Sequence, residues 1–369
     1  MAARIKIVGA GSIGNHLSHA CREQGYDVTL CDRDPEALRR TREDIYPSRY
    51  GAWDGAIALA PADEVAADDF DVVIVGTPPD THMPIALAQL EQAPPKVLFV
   101  EKPLSLPNLE GCVELQRAAG ETGTFVGVGF NHTLTRNTTI AAEWLKQNEI
   151  GEIITIRSMT REHWGGIFAA HPWLKGPEDS YLGFTERGGG AIGEHCHAIN
   201  IWQHFALALG KGRIRRVSAM LDWVEEKGAR YDRLAQLHVQ TESGLVGTIV
   251  QDVVTEPAKK WLRVQGSDGY LEWEVSVDPD NDEVITCASG ERSETRIPKT
   301  RPDDFRGEIE HIGALLEGNH KDSPVSLERG LETMLVVAAA IRSSEEGRSV
   351  TIDSTRGPSL SALDSGPEA

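Results

Sequence analysis

The stretch RIKIVGAGSIG, residues 4–14, decides how the chain is read. Apolar Ile5, Ile7 and Val8 run into Gly9-Ala10-Gly11-Ser12-Ile13-Gly14, and Ile13, Leu17 and Ala20 then recur at helical spacing. A strand turning through three glycines into a helix is the opening of a dinucleotide-binding βαβ unit. The first glycine allows the tight turn, the second lets a pyrophosphate approach the backbone, and the third lets helix and strand pack closely. The helix N-terminus then faces the negative charge. A second strand, YDVTLCD (26–32), ends on Asp32, eighteen residues after Gly14. A carboxylate there accepts hydrogen bonds from adenosine ribose hydroxyls and repels the extra phosphate of NADP, so NAD is the expected cofactor. Arg33 leaves NADP possible, because a guanidinium can stack on adenine or hold a 2′-phosphate.

Outward from this unit, short β-branched runs alternate with helical stretches to about residue 130. Asp34-Pro35 gives an acidic N-cap and a first-turn proline. FDVVIVGTPP and KVLFVEKP bracket a helix at about 81–92, and TFVGVGF (124–130) ends this half. The pattern predicts a doubly wound parallel sheet, a Rossmann domain over residues 1–130. After a helix at about 134–147, longer strands take over: EIITIRSMTREH, RIRRVSAMLDWV, RLAQLHVQTESGLVGTIVQDVV and KKWLRVQGSDGYLEWEVSV. ESG and SDG mark hairpins between alternating runs. An α+β domain over 131–353 is expected, with a largely antiparallel open sheet, a helix over 188–209 laid on it, and helices near 303–317 and 326–346. The tail STRGPSLSALDSGPEA (354–369) has the composition of a disordered segment.

The 369 residues suit two domains. With 37 Lys plus Arg against 56 Asp plus Glu, the net charge of -19 speaks against nucleic acid and anionic membranes as partners. Five scattered cysteines with no CxxC pair suggest reduced thiols rather than a disulfide framework or a zinc ribbon. The chain has no apolar run long enough to cross a membrane and enters a strand without a signal segment, so a cytoplasmic protein is expected.

The stretch GGGAIGEHCHAIN (188–200) concentrates glycine, carboxylate, imidazole and thiol. On its own it fits a metal site, a phosphate loop, a catalytic centre, or a glycine turn entering a buried helix. Together with VGAGSIG, TPPDTH (77–82) and VEKPLS (100–105), in that order, it resembles the glucose-fructose oxidoreductase and inositol dehydrogenase family, Gfo/Idh/MocA. The likeness runs to SLERGLETMLVVAAAIRSSEEGRSV and covers nearly the whole chain. It implies that Lys102 sits beside the nicotinamide, with Glu101 and Pro103 shaping a turn whose peptide is often cis. Thr77, Pro78 and His82 become cofactor neighbours. His197 takes the place of a substrate-facing histidine; Gly193 stands where many members have aspartate, and Glu194 lies three residues before the histidine. Glu194, His197 and Asn200 are spaced to share one helix face. No metal is expected, since the family works without one.

The chemistry implied is oxidation of a secondary alcohol of a sugar, sugar acid or cyclitol. His197 is assigned as principal acid/base, titrating near the working pH. Lys102 is assigned to orient the reacting oxygen and share the proton. Asn131 joins the substrate-side candidates. So do Arg161, Trp164 and Arg187 in the long segment 160–190, where Trp164 or Trp173 offers a sugar a flat surface and the cations suit a carboxylate or phosphate. The same segment also suits a subunit interface; a homodimer or homotetramer is expected. Competing functions are a sugar-nucleotide dehydrogenase or ketosugar reductase, and a non-catalytic NAD-binding regulatory protein.

Overall fold

In the first half, the buried β-branched runs form strands and the glycine turns open helices. The computed structural model describes residues 2–147, 150–169 and 174–364. Strands β1 (Arg4–Val8), β2 (Asp27–Asp32), β3 (Ala58–Pro61), β4 (Val72–Val75), β5 (Val97–Val100) and β6 (Phe125–Val128) make a parallel sheet ordered β3-β2-β1-β4-β5-β6. Val72–Val75 and Val97–Val100 are buried throughout, as strands covered on both faces must be. Helices α1 (Ser12–Glu23), α2 (Pro35–Arg40), α3 (Tyr46–Tyr50), α4 (His82–Gln92) and α5 (Cys112–Thr122) connect them. The Asp34 carboxylate accepts from Glu36 N at 3.0 Å, the cap expected of Asp34-Pro35.

The second half contains α6 (Arg136–Gln147), β7 (Ile153–Arg161), α7 (Gly165–Ala169), α8 (Gly190–Glu194) and α9 (His197–Ala208). Strands β8 (Ile214–Glu226), β9 (Ala229–Thr241), β10 (Val246–Asp252), β11 (Lys259–Gly266), β12 (Gly269–Asp278), β13 (Asn281–Ala288) and β14 (Glu291–Pro298) follow. The chain continues through α10 (Asp303–Leu316), α11 (Leu327–Glu346), β15 (Val350–Ile352) and β16 (Leu363–Asp364). The ten-stranded sheet runs β14-β13-β12-β11-β7-β10-β9-β8-β15-β16 and is antiparallel except for the β7–β10 pair. Helix α9 lies on it: Trp202 Nε1 donates to Ile156 O at 2.8 Å and Ser158 Oγ to Ala198 O at 2.8 Å. A Cβ at Gly247 would stand 2.7 Å from Trp202 Nε1, so this glycine is the space the indole needs.

Three expectations change. The compact units are discontinuous: one is Met1–Leu104, Gly111–Asn131 and Arg301–Glu328, the other Ser105–Glu110, His132–Thr300 and Arg329–Ala369. Helix α10 therefore belongs with the parallel sheet, where His16 of α1 stacks on Phe305 at 4.6 Å. Residues 354–364 of the tail are folded, and 365–369 lie outside the described residues: the Asp353 side chain accepts from Thr355 N, Ala362 and Leu363 are buried, and β16 pairs with β15. Segment 160–190 holds α7 and three 3-10 turns, Pro177–Asp179, Tyr181–Gly183 and Thr185–Arg187. No helix among the described residues is long and apolar enough to cross a membrane.

Candidate functional site

The glycine turn is shaped for a ligand. Gly9 has φ +111°, and a Cβ there would stand 2.8 Å from Gly76 O. A Cβ on Gly14 would stand 1.9 Å from Gly9 O. Gly11 is exposed and would meet nothing within 4 Å, which leaves bare backbone facing outward at the start of α1. That is the cradle a pyrophosphate requires. The Asp32 carboxylate accepts from Ala10 N at 2.8 Å and from Asp34 N at 2.9 Å, so it braces the turn and retains lone pairs for ribose hydroxyls. Arg33 is exposed, and Ser12 and Ile13 open α1 half-buried.

Past β4 and β5 lie the other residues expected beside the cofactor. Thr77 is half-buried and Pro78 exposed. His82 departs from expectation: fully buried, its ring is held between Pro103 O at 2.9 Å and Thr77 O at 2.7 Å. Burial drives its pKa down although both carbonyls pull it up. It pins the Thr77 loop to the turn after Lys102. The Lys102-Pro103 peptide is cis. Glu101 is buried, its Oε2 accepts from Lys102 N at 3.3 Å, and a Cβ at Gly129 would stand 2.8 Å from that same oxygen. Lys102 stays half-buried. Asn131 Oδ1 is buried and makes no hydrogen bond among the described residues.

In the other unit, GGGAIGEHCHAIN folds as two helices rather than one. Helix α8 ends at Glu194, His195 and Cys196 break it, and α9 starts at His197, so the helical spacing of Glu194, His197 and Asn200 does not apply. Every residue from 188 to 200 is buried except Glu194 and His197. The Glu194 carboxylate accepts from Tyr181 Oη at 3.1 Å, and the His197 ring lies 4.5 Å from that of buried His132. Asn200 is a core residue: its Nδ2 donates to Thr333 Oγ1 at 3.2 Å, away from any ligand role.

The segment is fixed by a residue that sequence reasoning missed. Asp232, fully buried on β9, accepts from Ile192 N at 2.8 Å and Thr185 Oγ1 at 2.9 Å. Gly190 must lack a side chain, since a Cβ would stand 2.1 Å from the Asp232 carboxylate. Gln251 Nε2 donates to Ala191 O at 3.2 Å from the neighbouring strand. Burial raises the Asp232 pKa to about 7, against the pull of those donors. The strand register shifts between Asp222 and Trp223, opposite Asp232, and both Tyr231 and Asp232 end up inside. No local sequence signal announces that.

Two substrate-side candidates are structural. The Arg161 guanidinium donates to Asp252 at 2.6 Å; Asp252 is buried, yet Arg161, Thr255 and two backbone N–H groups hold its pKa below the usual value. Trp164 packs with Leu182, Ala191, Tyr231 and Val253 in a buried cluster, leaving no face for a sugar. Arg187 is half-buried, 5.5 Å above the Phe184 ring. His171 and Trp173 lie outside the described residues.

A parallel sheet with an intact dinucleotide cradle, joined to a large mixed sheet, defines a nicotinamide-dependent oxidoreductase. Residues 3–130 match the model of the GFO/IDH/MocA oxidoreductase family, NAD-binding Rossmann fold, and residues 139–272 match the GFO/IDH/MocA C-terminal domain. The chain belongs to this family, and NAD is the cofactor its Rossmann domain binds. A glycosyl hydrolase family 109 protein of Shewanella pealeana is 27% identical over 159 residues, covering 41% of this chain and 33% of the relative. The chain thus spans about a third of the length of such curated relatives. In fold it is similar to levoglucosan dehydrogenase in complex with NADH and levoglucosan, with TM-score 0.76, 17% identity, and coverage of 95% of this chain and 99% of that one. It is likewise similar to the WlbA dehydrogenase of Bordetella pertussis in complex with NADH and UDP-GlcNAcA, with TM-score 0.69, 17% identity, and coverage of 95% and 99%.

Proposed function

We propose that the protein oxidises a secondary alcohol of a sugar, sugar acid or cyclitol. The observation that carries this reading is the burial pattern over 188–200: a well-packed segment keeps only a carboxylate and an imidazole, Glu194 and His197, accessible. A purely structural segment has no reason to spare those two. Bound NAD supplies the hydride acceptor. Gly9 to Gly14 and Asp32 would hold its pyrophosphate and adenosine ribose, with Thr77, Pro78, Glu101 and Lys102 on the nicotinamide side. His197 takes the hydroxyl proton, with its ring packed against that of His132. Lys102, supported through its backbone N–H by Glu101, orients the same oxygen and shares that proton. Glu194, held by Tyr181, reads a neighbouring hydroxyl, and Asn131 and Arg187 remain substrate-side candidates.

A panel of inositols, aldoses, sugar acids, nucleotide sugars and glycosides, followed by NADH absorbance, tests the proposal. Turnover of an unactivated polyol or sugar is expected. Turnover confined to nucleotide sugars would replace it with a sugar-nucleotide dehydrogenase, the reading supported by the fold shared with the Bordetella pertussis protein. Tight NADH binding with no turnover would leave a regulatory protein.

A further inference from the structure

We propose that Arg49 is a cofactor-binding residue which grips the dinucleotide pyrophosphate at the N-terminus of α1. Arg49 comes from α3, far from the glycine turn in sequence, yet its Nη1 donates to Ser12 O at 2.9 Å and its Nη2 to Ser12 Oγ at 2.7 Å. A guanidinium carries five N–H donors, so three remain. Ser12 Oγ accepts from Arg49, which leaves its own proton available as a donor. Arg49 thus meets the chain at Ser12, next to Gly11, where no side chain covers the backbone.

The site is built for an anion. Arg49 is half-buried, and among the described residues no carboxylate pairs with it. Burial alone makes such a cation costly, and Arg301 close by adds to the cost. The pKa of His16, one turn further along α1, is pushed to about 3 by burial and then by Arg49, Arg301 and His19. Two guanidinium groups, Arg49 and Arg301, thus stand close together and both press on His16, in a chain of net charge -19. The crowding is held by aromatic contacts: His19 stacks on Tyr50 at 3.6 Å, and Tyr50 Oη meets His16 Nδ1 at 2.5 Å. Arg301 is partly compensated by Asp304 at 3.4 Å, whereas Arg49 is left facing the turn. An anion on the α1 N-terminus would remove this strain and gain helix N–H groups, the Ser12 hydroxyl and the remaining Arg49 donors. The carboxylate of Asp32 braces the other side of the turn, through Ala10 N and Asp34 N, so the ribose end of the cofactor is distinct from the Arg49 end.

The inference rests on the dinucleotide site and deepens it. The test titrates the unmodified protein, Arg49→Lys and Arg49→Gln with NADH, NADPH, ADP-ribose and adenosine by fluorescence or calorimetry, with melting of the ligand-free proteins alongside. Loss of a charged hydrogen bond should weaken NADH and ADP-ribose equally in Arg49→Gln, on the order of ten- to a hundredfold. Arg49→Lys should fall between, adenosine should be unchanged, and the salt dependence of NADH binding should become shallower. Unchanged NADH affinity overturns the proposal. A loss confined to NADPH assigns Arg49 to a 2′-phosphate and also overturns it. An equal loss for adenosine marks damage to the fold of the turn and overturns it as well. If the unmodified protein binds neither NADH nor ADP-ribose, the dinucleotide site itself falls, an outcome distinct from any failure of Arg49.

Discussion

Replacing Asp232 by asparagine should abolish one specific part of the protein's pH-dependent stability. In the folded state burial lifts the Asp232 pKa from the usual 3.8 to about 7, so the folded chain holds a proton that the unfolded chain has released. Below about pH 4 both states are protonated and the group contributes nothing to the difference. As pH rises through the window from about 4 to 7, the unfolded state binds fewer protons than the folded one, and stability falls. Above 7 the loss is complete, roughly 4 kcal/mol at about 1.4 kcal/mol for each pH unit between the two values. Asparagine keeps an acceptor for Ile192 N, and Thr185 Oγ1 can accept from its amide, so any offset it introduces is independent of pH. Urea unfolding of parent and Asp232→Asn at pH 5, 6, 7 and 8, compared as differences, isolates the term from other titrating groups. The variant should gain on the parent by about 3 kcal/mol between the ends of that range, since pH 5 already lies inside the window. A difference that stays flat would show that the donors on Asp232 outweigh its burial, and would refute the reasoning. Asp232→Ala, which orphans Ile192 N, should show the same pH-dependent gain on the parent as Asp232→Asn, offset by a constant cost of about 1–3 kcal/mol, and should lower turnover by loosening α8.

Asp32→Ser should narrow the preference for NADH over NADPH, read by titrating both; equal affinities in the unmodified protein would give Arg33 the deciding role. Lys102→Ala and His197→Ala should each keep NADH affinity while losing on the order of 10² to 10⁴ in kcat, and the double variant should lose less than the product. The alkaline-rising limb of the pH profile for oxidation should vanish or move in His197→Ala; an unchanged limb would make the histidine a packing residue. Gly14→Ala should abolish NADH binding and lower the melting temperature, because its Cβ would stand 1.9 Å from Gly9 O.

Much of the cofactor unit was legible because its signals are local. The glycines, Asp32 and the helix cap at Asp34 each act within a few residues of their own position. The substrate unit was less legible because its side chains are claimed by distant partners. Arg161 reads as a free cation until Asp252 is placed beside it, and Trp164 reads as a sugar platform until β9 and the residues after β10 close over it. Helical periodicity ran straight through 188–209 because nothing local marks the break at His195, where φ -101° and ψ 23° end α8. The hairpin of β13 and β14 went unnoticed because β14 is an exposed edge strand with almost no apolar alternation. A Ser/Gly/Pro-rich tail suggested disorder, yet two apolar residues, Ala362 and Leu363, bury and allow β16 to pair.

The return of residues 301–328 to the parallel sheet has a chemical consequence beside Lys102. Helix α10 carries Glu308 into the interior, where it is 1% exposed and its Oε1 has no hydrogen-bond partner among the described residues. Burial raises its pKa well above the usual carboxylate range, and the nearby Glu101 carboxylate raises it further. Two buried carboxyl groups that feel each other cannot both ionise without a large cost. Glu308, with no donor on Oε1, is the member whose neutral form this burial favours. Glu101 accepts from Lys102 N, beside Gly129, where a side chain would collide with its carboxylate. The glutamate preceding the proposed catalytic lysine is therefore backed by a second, buried carboxyl group whose charged form burial disfavours. That backing comes from a helix some two hundred residues later in the chain, which is why the nucleotide-binding unit is not complete at residue 131.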